Sequence, residues 1–280
     1  MFFLSLSFGS NSIFPKYAIL SFMKIAITGK GGVGKTTLSA ILSYLFAEEG
    51  KKVIAVDADP DANLAQAMGL SASEIAKIKP LADMSQLIEE RTGVRPGTMG
   101  GMFRLNPKVD DLPEGIGYKI NGITLLVMGK AKVAASGCYC PESSLLRRLL
   151  KHLVVERDEV VIVDMEAGIE HLTRGTAEGV DAFIVVVEPG QRSIQTANTV
   201  KELAKGLGVK EVFVVANKVR NDADISFLKD NLHEMNLIGA LKFNQSVMDA
   251  DIGGVSPFTR APELVKEVRE IKKQLQEFVS

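Results

Sequence analysis

The sequence predicts an α/β fold in one domain, with a mostly parallel central sheet flanked by helices on both faces. Two observations predict it. Short, nearly continuous runs of Val, Ile and Ala recur along the chain, as strands buried on both faces require. Helical stretches separate most of these runs, which is the rhythm of a parallel sheet. The first run is KIAIT, followed by a helical stretch from Gly34 to Glu49 that Gly50 closes. KVIAVD comes next. The rhythm lapses between Ser71 and Gly122, where LADMSQLIEERTG predicts a helix and GGMFRLNPKVDDLPEGIGYKING predicts a loop or short hairpin. We read this part as an insertion at about 71–122 within a domain that spans 23–280. ITLLVM, VVIVDM, AFIVVVE and VFVVAN are further strands, with helices over 141–156, 170–179 and 192–207. LIGALKF adds one more strand. In the closing PELVKEVREIKKQLQEF, Leu264, Val268, Ile271, Leu275 and Phe278 recur every three or four residues and give a helix with one apolar face. The opposite face mixes Glu with Lys and Arg, which suits packing on the sheet better than lying on a membrane surface.

Composition narrows the function classes. The net charge is −1, so nothing suggests a polyanionic partner, and no nucleic acid is expected. Two cysteines are too few for a disulfide framework, and a reducing cytoplasm is expected. The first 22 residues are apolar and Ser-rich, but Gly9, Ser10, Asn11, Pro15 and Lys16 interrupt them. They lack the unbroken core of a signal peptide or a membrane span. Met23 opens MKIAITGKGG, which reads as a natural start, so 1–22 is expected to be a mis-assigned start or a disordered extension; an N-terminal anchor is the alternative. No stable membrane association is expected.

The stretch GKGGVGKTT carries the clearest chemistry. Gly29 and then Gly34, Lys35 and Thr36 fit G-x-x-x-x-G-K-[ST], between a predicted strand and a predicted helix. Glycines let the backbone fold into a nest of N–H groups around phosphates, and the helix N-terminus beyond adds its positive dipole end. The expected nucleotide-binding residues are Gly29, Lys30, Gly31, Gly32, Val33, Gly34, Lys35, Thr36 and Thr37. Lys35 is expected to reach the β- and γ-phosphates of ATP, and Thr36 to ligate Mg²⁺. Asp57 and Asp59 end the second strand, where carboxylates at i and i+2 can both face phosphates. Asp164 ends VVIVD, a Walker B position where a carboxylate holds Mg²⁺, usually through water.

A lysine directly after the first glycine is not required by the general motif. With Lys30, GKGGVGKTT resembles the deviant P-loop ATPases, the family of the MinD and ParA proteins and the nitrogenase iron protein. The resemblance implies a P-loop NTPase fold and a homodimer that closes around two ATP molecules, with Lys30 reaching the partner's nucleotide. It also implies that Asp57 supports the Mg²⁺ shell, that Asp59 orients the attacking water, that Gly168 lies in the segment sensing the γ-phosphate, and that the Asn217 amide pairs with adenine. Lys30, Lys35 and Asp59 are thus the expected catalytic set.

The only cysteines, Cys138 and Cys140, stand in SGCYCPE. Pro141 suits the first turn of a helix, and a helix N-terminus favours the metal-binding thiolate. Structural zinc wants four ligands, and His152, His171 and His233 have no ligand spacing to the pair. Two copies meeting on a two-fold axis would supply four thiolates. By spacing alone, two small core residues or a redox pair fit as well. LNPKVD, CYCPE and GIEHLTRGTA, together with the phosphate loop, closely resemble the CooC-type ATPases, from Met23 to the C-terminus. These assist nickel insertion into carbon monoxide dehydrogenase, with relatives serving acetyl-CoA synthase. The resemblance implies that Cys138 and Cys140 bind Ni²⁺ or Zn²⁺ between two subunits, with one of those apo-enzymes as client. His171 reads more simply as a capping or packing residue, and Arg174 could contact phosphate or partner. The alternative function is a MinD/ParA-like positioning ATPase acting on membrane or DNA.

Overall fold

The structure, a computed structural model, describes residues 23–97, 102–129, 140–166, 174–177, 179–209, 211–232 and 234–279. The expected extension 1–22, together with Cys138, Gly168, His171 and His233, lies outside the described residues.

The first half of the chain runs β1 (Lys24–Gly29), α1 (Lys35–Glu48), β2 (Val53–Asp57), α2 (Leu64–Ala67), α3 (Ala72–Ile75), α4 (Ser85–Thr92), α5 (Leu112–Ile116), β3 (Tyr118–Ile120) and β4 (Ile123–Val127). A single 3-10 turn, Leu81–Asp83, precedes α4. The second half runs α6 (Pro141–Lys151), β5 (Val160–Asp164), α7 (Arg174–Ala177), β6 (Ala182–Val187), α8 (Gln191–Gly206), β7 (Val212–Val219), α9 (Asp222–Asn231), β8 (Asn236–Lys242), α10 (Gln245–Ile252), α11 (Pro257–Arg260) and α12 (Pro262–Val279). The last turn of α6 widens into a π-helical turn over His152–Glu156.

The eight strands of the described residues form one sheet in the order β3-β4-β2-β5-β1-β6-β7-β8. Every pairing is parallel except that of β3 with β4, which meet through the Asn121-Gly122 turn, with both residues at positive φ. The expected loop or hairpin before ITLLVM is therefore a hairpin, preceded by the short α5.

Alternation along each strand explains the unbroken apolar runs. Ile25 and Ile27 of β1 join one core cluster, with Val53 and Ala55 of β2 and Ile184 and Val186 of β6. Ala26, Ile54, Val56, Val163 and Val185 point to the other face. Successive side chains of a strand alternate faces, so a sheet covered on both sides needs both sets apolar. α1 and α12 cover the first face through Leu38, Ile41, Leu42, Leu264, Val268, Ile271 and Leu275. α6 and α8 cover the second through Leu145, Leu149, Ile194 and Val200.

The apolar stripe of α12 thus packs where the sequence predicts, with two exceptions. Phe278 is largely exposed, although its ring lies 5.2 Å from that of Phe213. Lys272, formally on the polar side, is buried; its ammonium pairs with Glu49 and lies 4.8 Å from the centre of the Phe46 ring. Among the described residues, no helix is long and apolar enough to cross a membrane.

Candidate active site

In a parallel sheet, the strands all deliver their C-terminal ends to one edge, and this edge carries the site. β1 ends at Gly29, and the chain turns through Lys30–Gly34 into α1. Gly29, Gly32 and Gly34 all have positive φ. At two of them space is as decisive as conformation. A Cβ on Gly29 would lie 2.4 Å from the backbone oxygen of Val186, and one on Gly34 would lie 2.2 Å from Nδ2 of Asn217. Only glycine allows the loop to sit this close to β6 and β7.

Asp57 and Asp164 end neighbouring strands in direct register. Asp57 is fully buried; Oδ1 accepts from the Asp59 N–H at 3.3 Å and Oδ2 from the Leu64 N–H at 2.9 Å. Burial pushes its carboxyl up to about 7, and the adjacent Asp164 adds to the rise. Burial likewise pushes Asp164 up to about 6, opposed by the neighbouring Thr36 hydroxyl and by the charge of Lys35. Asp164 Oδ1 accepts from Ser39 Oγ at 3.2 Å, while its buried Oδ2 has no hydrogen-bond partner. A buried carboxylate oxygen left unpaired is costly, and beside the Thr36 hydroxyl it is suited to a hydrated divalent cation. The residues present therefore fit Mg²⁺. Lys35 is buried, with Nζ 3.9 Å from Asp59 Oδ2. A cavity of about 620 Å³ opens over Gly31, Gly34, Lys35, Thr36, Asp59 and Glu166, large enough for a nucleotide polyphosphate.

A second cavity, of about 490 Å³, lies on the other side of the loop, between Gly34, Thr37, Asn217, Arg220 and Phe243. Asn217, expected to face adenine, lines it and also serves the loop. Its Nδ2 donates to the Val33 carbonyl at 2.7 Å, and its Oδ1 accepts from the Lys218 N–H at 2.8 Å. One amide hydrogen and one lone pair of Asn217 remain for a base.

Cys140 caps α6. Its Sγ accepts from the Ser143 N–H at 3.5 Å, and the thiol donates to Ser143 Oγ at 3.0 Å. β4 ends beside Asp57, and α6 must return to the start of β5, so Cys140 begins its crossover on the same edge of the sheet as the phosphate loop. His152 sits at the far end of α6 and is bound to Glu156 through Nδ1 at 2.9 Å, so it stands apart from the sulfur. Among the described residues no group of three or more His, Cys, Asp or Glu side chains could hold a metal ion, and Cys138 lies outside them.

Sequence reasoning missed three participants. Ser39 reaches Asp164 from the second turn of α1. Lys218 and Glu188 reach each other at 3.1 Å, and Lys218 Nζ donates to the Gly32 carbonyl at 2.7 Å. The only sequence signal for Lys218 is its place after Asn217 at the end of a strand.

A glycine-rich loop between β1 and α1, flanked by two buried strand-end aspartates, defines a P-loop ATPase. The chain belongs to the CobQ/CobB/MinD/ParA nucleotide-binding family, whose domain it matches over residues 24–258. Within that family it is of the CooC type. It is 46% identical over 240 residues to the carbon monoxide dehydrogenase accessory protein CooC of Rhodospirillum rubrum, covering 86% of this chain and 91% of that protein. It is 48% identical over 252 residues to an uncharacterized ATP-binding protein of Methanocaldococcus jannaschii, covering 89% of this chain and 96% of that one. The MinD cell division protein of Aquifex aeolicus shares the fold, with a TM-score of 0.64 at 22% identity over 91% of this chain and 97% of that chain.

Proposed function

We propose that this ATPase is a metallochaperone of the cytoplasm. It would dimerise on ATP and assist nickel insertion into carbon monoxide dehydrogenase or acetyl-CoA synthase. The observation that carries the reading is Cys140, capping α6 on the same sheet edge as Asp57 and Asp164. A nucleotide-dependent change at that edge would be felt directly by the sulfur site. The name of the Rhodospirillum rubrum relative, a carbon monoxide dehydrogenase accessory protein, supports the first of these clients.

In this reading the N–H groups of Gly31 to Thr37 cradle the phosphates, and buried Lys35 neutralises their charge. Thr36 and Asp164, with Asp57 behind them, would hold Mg²⁺. Bound there, Mg²⁺ would supply charge neutralisation on the β- and γ-phosphate oxygens. Asp59, within reach of Lys35, would orient the attacking water. Lys30 would extend to the nucleotide of a second copy. Cys138 and Cys140 of each copy would give four thiolates around the cargo ion, as Zn²⁺ in a tetrahedron or Ni²⁺ in a square plane. Metal and nucleotide must then bias each other's binding by the same factor.

The test is an anaerobic nickel and zinc titration with and without ATP, read by mass of the assembly. One metal per dimer, lost in the Cys138→Ala, Cys140→Ala double variant, is expected. A metal bound to monomer, or affinity unchanged in the double variant, would sink the shared site. Hydrolysis stimulated by lipid or DNA, with the cysteines dispensable, would favour a positioning ATPase instead.

A further inference from the structure

The end of β7 does something unusual for a strand. Its pairing with β8 is irregular between Ala216 and Val219, and Lys218 within this irregularity has φ 57. A non-glycine residue in the left-handed region carries local strain, which surrounding contacts must maintain. Two of those contacts lead to the phosphate loop. Lys218 Nζ donates to the Gly32 carbonyl at 2.7 Å, and Asn217 Nδ2 donates to the Val33 carbonyl at 2.7 Å. Two consecutive residues of β7 thus hold two consecutive carbonyls of the loop.

Peptide planarity gives this clamp a consequence. In a trans peptide the C=O and the following N–H point in opposite directions. Fixing the Gly32 carbonyl sets the 32–33 peptide, whose N–H donates to the Lys30 carbonyl at 3.3 Å and closes the loop's turn, and fixing the Val33 carbonyl aims the Gly34 N–H away from β7. The Lys218 ammonium is itself fixed by Glu188 Oε2 at 3.1 Å. Glu188 follows β6, and its own N–H is bound to Ser193 Oγ at 3.0 Å. The ammonium is therefore anchored from a second strand end, whereas a lone exposed lysine would be free to swing.

We propose that Lys218 is a positioning residue for ATP: with Glu188 behind it and Asn217 beside it, it holds the turn from Lys30 to Val33 in the shape that presents the loop, from the Gly34 N–H onward, to the phosphates. The strained backbone at 218 is what turns the lysine back onto the loop. Preorganised donors need no rearrangement when phosphate arrives.

The experiment is titration of the full chain with ATP and with ADP, together with steady-state hydrolysis and thermal melts of the nucleotide-free protein. Lys218→Ala and Lys218→Gly are both expected to weaken ATP and ADP about tenfold, the scale of one charge-assisted hydrogen bond. KM should rise more than kcat falls. Lys218→Arg, which keeps a charged donor, should recover most of the affinity. Glu188→Gln leaves β7 untouched, so it reports even if the Lys218 variants fold poorly, and a loss of about threefold is expected, a fraction of a full charge-assisted bond. Wild-type affinity in Lys218→Gly would show that only the backbone shape matters and would overturn the proposal. So would nucleotide affinity unchanged in Glu188→Gln, or a fall in melting temperature without any change in affinity.

Discussion

The two chemistries proposed for this protein share one edge of the sheet but are held there in different ways. The carboxylates belong to the sheet: Asp57 and Asp164 are the last residues of paired strands, both buried, each tied to neighbouring groups. Cys140 belongs to a helix end and is half-buried, its sulfur held by Ser143 of the same turn. Strand ends fix position through the ladder, and their carboxyl groups have little freedom. A helix cap holds its side chain through one residue of its own turn, with no ladder behind it. The difference matches the tasks proposed for each. Phosphate transfer wants charges that do not move, while a cargo metal has to be received and given up.

The largest effect that could break this comparison lies on the carboxylate side. Asp59→Asn should lower ATP hydrolysis about a hundredfold or more, the scale of losing a group that positions a reactant. Binding of nickel in the absence of nucleotide should be unchanged. An equal loss of both activities would mean that the two halves of the edge are one rigid unit. A smaller effect separates cap from ligand on the cysteine side. Serine is a strong helix N-cap, so Cys140→Ser should keep the bond from the Ser143 N–H and hold the melting temperature within about 2 °C. Measured without metal, ATP affinity should stay at the wild-type value, while metal affinity falls. Failure of Cys140→Ser to fold would show that the sulfur is packed for stability rather than offered to a ligand.

How much of each half could be read from the sequence follows from the same contrast. Strand-end chemistry is legible because Asp57 and Asp164 close apolar runs and GKGGVGKTT has a fixed spacing. The two-sided sheet is legible for the same reason: both faces of each strand must be apolar. What escaped are contacts between residues far apart in the chain. Lys218 meets Gly32 across 186 positions and Ser39 meets Asp164 across 125, and no periodicity carries such pairs. Lys272 escaped because its aliphatic stem can be buried once Glu49 and the Phe46 ring receive its head. For Asn217 the sequence offered one partner, the base, and the structure adds another, the Val33 carbonyl. The cysteine pair was legible only as a motif, because its spacing alone left three readings open.

The smallest effect is a dependence on pH that should belong to the carboxylates alone. Burial pushes Asp57 up to about 7 and Asp164 up to about 6, whereas in the unfolded chain both ionise near 3.8. Between those values the folded chain binds more protons than the unfolded one, so stability is greatest at the acid end and is lost as pH rises through 6 and 7. Glu156 works in the opposite direction, held down to about 2 chiefly by Arg148 and then by His152. Its contribution is present at neutral pH and disappears only as pH falls below 4.5, outside the window of the aspartates. With metal chelated and no nucleotide, the melting temperature should therefore fall by several degrees between pH 5 and 8. Asp57→Asn with Asp164→Asn should flatten that slope, and Mg²⁺ with ADP should reverse it by rewarding the ionised pair. Cys138→Ala with Cys140→Ala should leave the slope as it is. If the cysteine variant flattens it instead, the two halves of the edge share their protons, and the separation between a fixed charge site and a looser sulfur site fails.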